Sequence, residues 1–230
     1  MASAQAVASL LLLADGRFPV GGHAHSAGVE AAILDGRVRS FADLEHFVEG
    51  RLFSTGLTEA ALAAAATVRW AQVGMAAYDE LSTESDARYP TEPLRDASRR
   101  LGRQLLRVAA VSWPDSLCDT LAGQRDLPVH QPVALGAVGA VAGITPVDVA
   151  ALSLHHNVTT PLQAAIKLAG WDPFQIAAAS VRFTQVVAEC AQQAASYSGG
   201  PLSDLPADNA PLIEIAAVNH TTHQPGMFAT

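Results

Sequence analysis

The sequence predicts an all-α protein with a single helical-bundle domain, and three of its properties lead to this prediction. Half of the 230 residues are hydrophobic, only 6% are aromatic, and the hydrophobic set is rich in alanine and leucine, the strongest helix formers. Apolar residues recur at helical intervals, and no stretch shows the alternation typical of a strand. Glycine, proline and capping residues fall between these periodic stretches, where helices begin and end. We predict a helical domain over residues 1–200, with mobile segments at both chain ends.

The leucine-rich N-terminus predicts a packed first helix and not a secretory signal. Its apolar residues share one helical face, which consists of Val7, Leu10, Leu11 and Ala14. A signal sequence would need a basic segment before the leucines and a small-residue cleavage site after them. Asp15 and Arg17 follow the leucines instead.

Short polar side chains predict where the next two helices begin. Ser26 is placed to cap a helix that starts at Ala27, with Glu30 in the positive first turn. Ser40 and Asp43 have the spacing of a capping box, in which each side chain accepts a hydrogen bond from the backbone of the other residue. We therefore expect another helix to begin directly after Ser40.

An alanine-rich helix is predicted from Thr58 to about Leu81, and the polar stretch Ser82–Pro93 is predicted to be a loop. A strongly amphipathic helix follows from Leu94. One side of it carries five of the chain's 14 basic residues, which we name the arginine ridge: Arg95, Arg99, Arg100, Arg103 and Arg107. This ridge is either a solvated helix face or a docking surface for an acidic partner.

Charged residues nearly vanish over residues 129–170, where only Asp148 and Lys167 carry charge. Thr145 and the Pro146 that follows it predict a strong helix start. The apolar runs are too short to span a bilayer and are broken by proline and aspartate, so we predict no membrane segment. Small residues in this region would let two helices approach closely, either within the protein or across a dimer. We assign the following glycines to dimer packing, with internal packing as the alternative: Gly136, Gly139 and Gly143.

The glycine-rich stretch PVGGHAHSAG matches neither a phosphate loop nor a dinucleotide fingerprint, because no Gly-Lys-Ser/Thr ends it and no strand precedes it. Histidines supply only weak candidate metal ligands. These are His23, His25, His220 and His223. His155 and His156 are adjacent and therefore point to different faces of a helix. No carboxylate completes a known ligand pattern, so we predict no firm metal site and no tightly bound cofactor.

Composition and local motifs exclude several classes of function. The formal net charge of −8 argues against a nucleic-acid-binding protein, which would carry a basic surface. Cys118 and Cys190 lie far apart without metal-ligand spacing, which is typical of a reducing compartment. Neither a nucleophile elbow nor an activated cysteine is present, so we predict a binding protein rather than an enzyme.

Four stretches of the chain correspond, in order, to the segments of one known family. They are LLLADGRFPVGGHAHSAGVEAAILDGRV, LRDASRRLGRQLLR, HQPVALGAVGAVAGITPVDVAALSLHHNVTTPLQAAIKLAG and PLIEIAAVNHTTHQPGMF. They resemble the N-terminal signature, the central arginine-containing helix, the His-led small-residue segment and the C-terminal segment of the urease accessory protein UreF family.

The resemblance implies a cytoplasmic, non-enzymatic homodimer that acts in urease maturation. Its partners would be a UreD (UreH)-type accessory protein, the nickel-carrying GTPase UreG and apo-urease, and it would couple GTP hydrolysis to nickel insertion, handling nickel only transiently. The expected partner-binding residues are Lys167, His155, Arg95, Arg99 and Arg103. A polar passage or turn would be formed by Gly21, Gly22, His25, Ser26 and Glu30. The tail over residues 201–230 is expected to be mobile and to become ordered when a partner binds.

Two other classes of function remain open from the sequence. A metal-dependent helical hydrolase would use the histidines and would carry stoichiometric metal. A helical module for a small apolar ligand would need a closed pocket lined by residues 130–170.

Overall fold

The computed structural model describes residues 3–19, 25–114, 116–124 and 127–220. These ranges form α-helices joined by short connections and contain no strand, which confirms the predicted fold class. The helices are α1 (Ala4–Ala14), α2 (Val29–Leu34), α3 (Phe41–Arg51), α4 (Leu57–Val73), α5 (Tyr78–Arg88), α6 (Glu92–Ser112), α7 (Ser116–Gly123), α8 (Gln131–Ala142), α9 (Pro146–Ala169), α10 (Pro173–Arg182), α11 (Thr184–Ser196) and α12 (Pro211–His220). Within the described ranges, none of these helices is both long and apolar enough to cross a membrane.

The alanine-rich helix α4 forms the centre of the bundle and packs against α8, α9 and α11. Every residue from Ala60 to Ala66 is fully buried, and these small side chains allow neighbouring helices to come close. A Cβ atom added at Gly136 would lie 2.5 Å from Ala66 Cβ, and one at Gly139 would lie 2.5 Å from Val149 Cγ2. These two glycines therefore serve helix packing within one chain. Both are buried within the chain, which agrees with the alternative of packing inside the protein. The dimer role of Gly143, an exposed residue that follows the end of α8 in a left-handed conformation, stays a prediction.

Helix α4 ends earlier than predicted, and the predicted loop over Ser82–Pro93 is mostly helical. Gly74 adopts a φ of +55°, which breaks α4, and a 3-10 turn over Gly74–Ala77 leads into α5. The residues of α5 that face the core are Leu81, Ser85 and Arg88, so most of its polar sequence covers a solvated face. Because so few residues of this polar helix face the core, its sequence shows only a weak helical periodicity of apolar residues.

The first helix forms as predicted, but it buries a different face. Ala6, Ser9 and Leu13 point inward, whereas Val7 and Leu11 are 44% and 67% exposed. The small Ala6 and Ser9 side chains permit close packing, and Ser9 Oγ accepts a hydrogen bond from the Trp113 indole. Val7, Leu11 and Leu12 are thereby left on the outer surface of α1.

Helix α2 begins at Val29 and not at Ala27. Gly28 precedes it with a φ of +85°, a left-handed conformation that glycine adopts without strain. The Ser26 carbonyl accepts a hydrogen bond from the Val29 N–H. The N-cap position is occupied by Gly28, and no side chain caps the helix there. Glu30 lies in the first turn, as predicted.

The predicted capping box of Ser40 and Asp43 is present at the start of α3. Thr145 likewise caps α9 by accepting the Asp148 N–H. At the other end of α9, Gly170 follows the last turn with a φ of +67°. Local capping signals therefore placed these helix ends correctly.

Residues 201–220, which the sequence assigned to a mobile tail, pack against the helical domain. Leu202 and Leu205 are buried, and α12 lies against α6 and α2. The Arg88 guanidinium donates hydrogen bonds to the carbonyls of Leu202, Leu205 and Pro206 at 2.9–3.0 Å. Residues 221–230 lie outside the described residues.

Candidate functional site

A cavity of about 240 Å³ lies where α2, the α3–α4 junction, α6, α9 and α12 meet. Three carboxylates from three different helices contribute to its wall: Glu30 of α2, Glu59 of α4 and Glu214 of α12. Glu30 and Glu214 are buried, and the Thr91 hydroxyl donates to Glu214. Because α12 covers one side, the wall of this cavity depends on the segment after residue 200.

A hydrogen-bonded chain of side chains crosses the cavity wall. Both carboxylate oxygens of Glu59 accept hydrogen bonds, one from the Tyr89 hydroxyl at 3.0 Å and one from Asn157 Nδ2 at 2.9 Å. Asn157 Oδ1 in turn accepts a hydrogen bond from Arg51 at 2.6 Å. Arg51 also donates to the Ala27 carbonyl at 3.1 Å. These contacts fix α3, α4 and α9 relative to the chain segment that enters α2.

The chain of contacts continues to the surface through an aromatic stack. The rings of Tyr89 and His130 lie parallel, with 4.8 Å between centroids. His130 Nε2 hydrogen-bonds to Asp86 Oδ1 at 2.8 Å, and Arg99 donates to the same oxygen. Burial lowers the pKa of His130, with the nearby Asp86 opposing this shift. Burial also raises the pKa of Tyr89.

One histidine of the adjacent pair lines the cavity and the other does not. His156 donates from Nε2 to the Leu13 carbonyl at 3.1 Å. Burial, aided by the charge of His155, lowers the pKa of His156 from 6.5 to about 4. His155 is exposed on the outer side of α9. The two side chains thus point to different sides, as predicted.

Comparison with known proteins assigns the chain to a family. The UreF family model matches residues 38–183. The chain is 38% identical to the urease accessory protein UreF of Mycobacterium marinum over 224 residues, which cover 97% of this chain and 99% of that protein. The chain belongs to the UreF family. It is also 37% identical over 222 residues to the UreF of Mycobacterium sp. strain JLS and 35% identical over 224 residues to that of Mycobacterium tuberculosis H37Rv, with at least 96% of each chain covered.

Part of the polar passage expected for a UreF is brought together by the structure. His25, Ser26 and Glu30 all line the cavity, whereas Gly21 and Gly22 lie outside the described residues. Burial lowers the pKa of His25, and the positive charge of Arg100 adds to this shift. His25 is therefore a neutral imidazole at the cavity, able to accept a proton or bind a metal ion.

Among the four candidate metal ligands, only His25 has a described side chain. His23 and His223 lie outside the described residues, as does the side chain of His220. Over the ranges that can be described, no group of three or more His, Cys, Asp or Glu side chains is placed to hold a metal ion. The cavity carboxylates and imidazoles offer oxygen and nitrogen donors, but they are spread along its walls.

The arginine ridge divides into two parts. Arg95 donates to the carbonyls of Tyr89 and Pro90, and Arg99 donates to Asp86, so both act within the chain. The outward part consists of Arg100, Arg103 and Arg107, which are exposed on α6. Lys167 is exposed on the last turn of α9.

Several residues of the cavity wall and of the adjoining stack could not be identified from the sequence. Glu59, Tyr89, His130 and Asn157 are brought together from positions up to about a hundred residues apart. The available signal was weak: Glu59 and Asn157 are polar residues on helices that are otherwise largely apolar. Only the packed structure shows that they face one another.

Proposed function

We propose that this protein is a non-enzymatic adaptor of urease maturation. The observation that carries the proposal is its relation, over nearly the whole chain, to proteins named urease accessory protein UreF. In this role it bridges a UreD (UreH)-type accessory protein and the nickel-carrying GTPase UreG in the cytoplasm. Hydrolysis of GTP by UreG is thereby coupled to insertion of nickel into apo-urease.

The cavity supports a role in transient nickel handling. Nickel(II) binds imidazole nitrogens and carboxylate oxygens, and the walls carry His25, His156, Glu30, Glu59 and Glu214. Donors spread along a cavity suit a passing cation better than a resident one, since tight binding needs several ligands at one point.

Exposed apolar side chains support assembly with other chains. Leu11 and Leu12 of α1 are more than half exposed, as are Leu212 and Ile215 of α12. Such residues on two separate helices provide surfaces for an accessory partner and for a second copy of this chain. We propose a homodimer that uses these outer faces, since Gly136 and Gly139 pack internally.

Charged groups outside the cavity are the proposed contacts to the GTPase. Lys167 and His155 are exposed on α9, and Arg103 is exposed on α6, so each is accessible to a partner. Arg95 and Arg99, which were expected in the same role, hold the α5–α6 connection in place and support this surface indirectly.

Co-purification from cells that express a complete urease operon tests the proposal. An affinity-tagged copy of the chain should retain the UreD-type protein, the GTPase and urease subunits. A well-folded, dimeric chain that retains none of these proteins, with all of them expressed, would contradict the adaptor role. Stoichiometric metal in the chain purified alone would instead favour the hydrolase alternative.

A further inference from the structure

Four exposed arginines take no part in holding the fold together. They are Arg17, Arg100, Arg103 and Arg107. None of their side chains forms a hydrogen bond or an ion pair with a residue that the structure describes. Each of the other arginines with a described side chain donates to at least one carboxylate, carbonyl or amide oxygen. The four are therefore set apart from the arginines that have a structural role.

The four arginines lie on neighbouring parts of one surface. Three of them follow one another along α6 at intervals of three and four residues, so they share one side of that helix. The segment that contains Arg17 crosses the same helix. Gln104 donates to the Pro19 carbonyl at 3.0 Å, and the ring centroids of Phe18 and Trp113 lie 5.9 Å apart. We call the surface formed by the four arginines the basic surface.

The charges of the basic surface are only partly balanced by the chain itself. Asp15 accepts a hydrogen bond from the backbone N–H of Arg17, and Asp96 lies one turn before Arg100. The two arginines that follow on α6 are four residues apart, and like charges at this interval destabilise a helix. An anionic partner would replace this repulsion with attraction, so the charge pattern favours a bound anion at the outer face of α6.

The surroundings of the basic surface favour a protein partner over a nucleic acid. Val111, one turn after Arg107, is 83% exposed, and the half-buried rings of Phe18 and Trp113 lie at the same end of α6. Arginine and aromatic residues are enriched in protein–protein interfaces. The chain has 22 acidic residues against 14 basic ones, and Asp96 stands on the same side of α6. A phosphate backbone that extended beyond the arginines would therefore be repelled.

We propose that the basic surface binds an acidic helix of a partner protein. Arg100 and Arg107 are seven residues apart, so the arginines of α6 span about 10 Å along the helix axis. Carboxylates at the same spacing on a partner helix face them, and an apolar residue one turn further contacts Val111. Complementary charges of this kind speed association and fix the orientation of the partner. The inference does not depend on the proposed role in urease maturation.

Binding of two synthetic peptides to the full chain, followed by fluorescence anisotropy, tests the proposal. The first peptide is an alanine-rich helix whose glutamates repeat the spacing of the arginines on α6, with a leucine one turn further. The second has the same composition, but its glutamates lie on different sides of the helix. The wild type should bind the first peptide about fivefold more tightly than the second, because only the first pairs with all three arginines at once. Added salt should weaken this binding.

The variant that locates the site combines Arg103→Gln with Arg107→Gln. Neither side chain has a partner among the described residues, so the variant should fold normally. The matched control combines Gln175→Glu with Gln192→Glu, which changes the net charge by the same amount at exposed positions of α10 and α11. The variant should bind the first peptide about five- to tenfold more weakly than the wild type, whereas the control should bind it within about twofold of the wild type.

Three results would overturn the proposal. Equal binding of the two peptides by the wild type, or no binding of either, would show that the arginines do not form a fitted surface. Equal binding of the first peptide by the variant and its control would overturn the assignment to α6. A single-stranded RNA oligonucleotide that binds more tightly than the first peptide would overturn the assignment to a protein partner. A chain that shows the expected peptide binding but does not mature urease would contradict the proposed function alone.

Discussion

Single polar residues in the wall determine the character of the cavity. Glu59 has both carboxylate oxygens occupied by Tyr89 and Asn157, so its position is fixed by two other parts of the chain. His156 is kept neutral by burial, and its one hydrogen bond goes to the Leu13 carbonyl. Each of these residues hydrogen-bonds to partners distant in sequence. The effects on stability of substitutions at different walls of the cavity should therefore not be additive.

The lowered pKa of His156 predicts a loss of stability in acid. Its pKa is 6.5 ordinarily and about 4 in the folded protein. The unfolded chain therefore binds a proton at higher pH, so the stabilising contribution is complete above that ordinary value and falls as the pH drops toward the folded value. By about pH 5 the loss from this residue alone is roughly 2 kcal/mol. His25 and His130 shift in the same direction and add to the loss.

The measurement is chemical denaturation of wild type and His156→Gln at neutral pH and at about pH 5. Glutamine can still donate a hydrogen bond but does not titrate, so the variant should lose less stability in acid than the wild type. His46→Gln, at an exposed position of α3, should lose as much as the wild type. An unchanged acid response in His156→Gln would show that other groups control it.

Lys167 provides the residue-level test of partner binding. It lies on the last turn of α9, where a cation also interacts favourably with the helix dipole by about 0.3–1 kcal/mol. We expect Lys167→Ala to fold and dimerise normally but to recruit less GTPase and to activate urease less, with Lys167→Arg retaining activity. Gln163→Ala, one turn earlier at an exposed position, is the control. Undiminished GTPase recruitment by a folded Lys167→Ala protein would assign Lys167 to charge compensation only.

At the scale of elements, small residues set the distance between helices. Gly136 lies against the backbone of α4, where an added Cβ would be 2.8 Å from both the Ala63 carbonyl and the Thr67 nitrogen. Backbone atoms cannot move aside as a flexible side chain can, so α8 and α4 would have to separate. The alanines of α4 contribute the other half of this contact, and together they form the centre of the bundle.

Gly136→Ala should therefore destabilise the protein by about 1–3 kcal/mol through overpacking. Gly50→Ala in α3 is the matched control, because no atom lies within 4 Å of the added Cβ there. That control should stabilise the protein by up to about 1 kcal/mol, the difference in helix propensity. Denaturant titration measures both. Equal effects from the two substitutions would show that close helix approach does not limit this position.

Elements that the sequence predicted correctly depend on local signals, and those it missed depend on distant contacts. The capping box of Ser40 and Asp43 lies within four residues, and its hydrogen bonds form as expected. Helix α5 was missed because its buried side depends on Arg88 meeting carbonyls more than a hundred residues later. The glycines of α8 correctly indicated that another helix packs closely against this one. They did not indicate which helix it is, because composition does not distinguish a helix of the same chain from a helix of another copy.

For the whole molecule, Arg88 joins the segment after residue 200 to the helical domain. Its side chain is 5% exposed, forms an ion pair with Glu84 and donates to three carbonyls of the 202–206 segment. Thr58 Oγ1 holds the Asp208 carbonyl at 3.0 Å. These contacts place α12 over the cavity. The cavity is therefore bounded by elements from the whole fold and not by any one helix.

Arg88→Lys should destabilise the protein by more than about 2 kcal/mol, because an ammonium group cannot reach all three carbonyls and leaves some of them unpaired. Limited proteolysis should then cut the variant preferentially between Gly200 and Pro211, as freed loops are the preferred cleavage sites. Arg37→Lys, at an exposed pair with Asp35, should change stability by less than about 0.5 kcal/mol. An Arg88→Lys protein with wild-type stability and cleavage would contradict the anchoring role.

The most direct test of the central claim is urease maturation in cells that carry a mycobacterial urease operon without its own UreF gene. Expression of this chain should restore urease activity and raise the nickel content of purified urease toward the level obtained with the UreF of Mycobacterium marinum, its 38% identical relative. Lys167→Ala should restore less of both, and Gln163→Ala should restore them fully. A folded, well-expressed chain that leaves urease inactive and nickel-free, while the relative restores it, would contradict the claim that this protein matures urease.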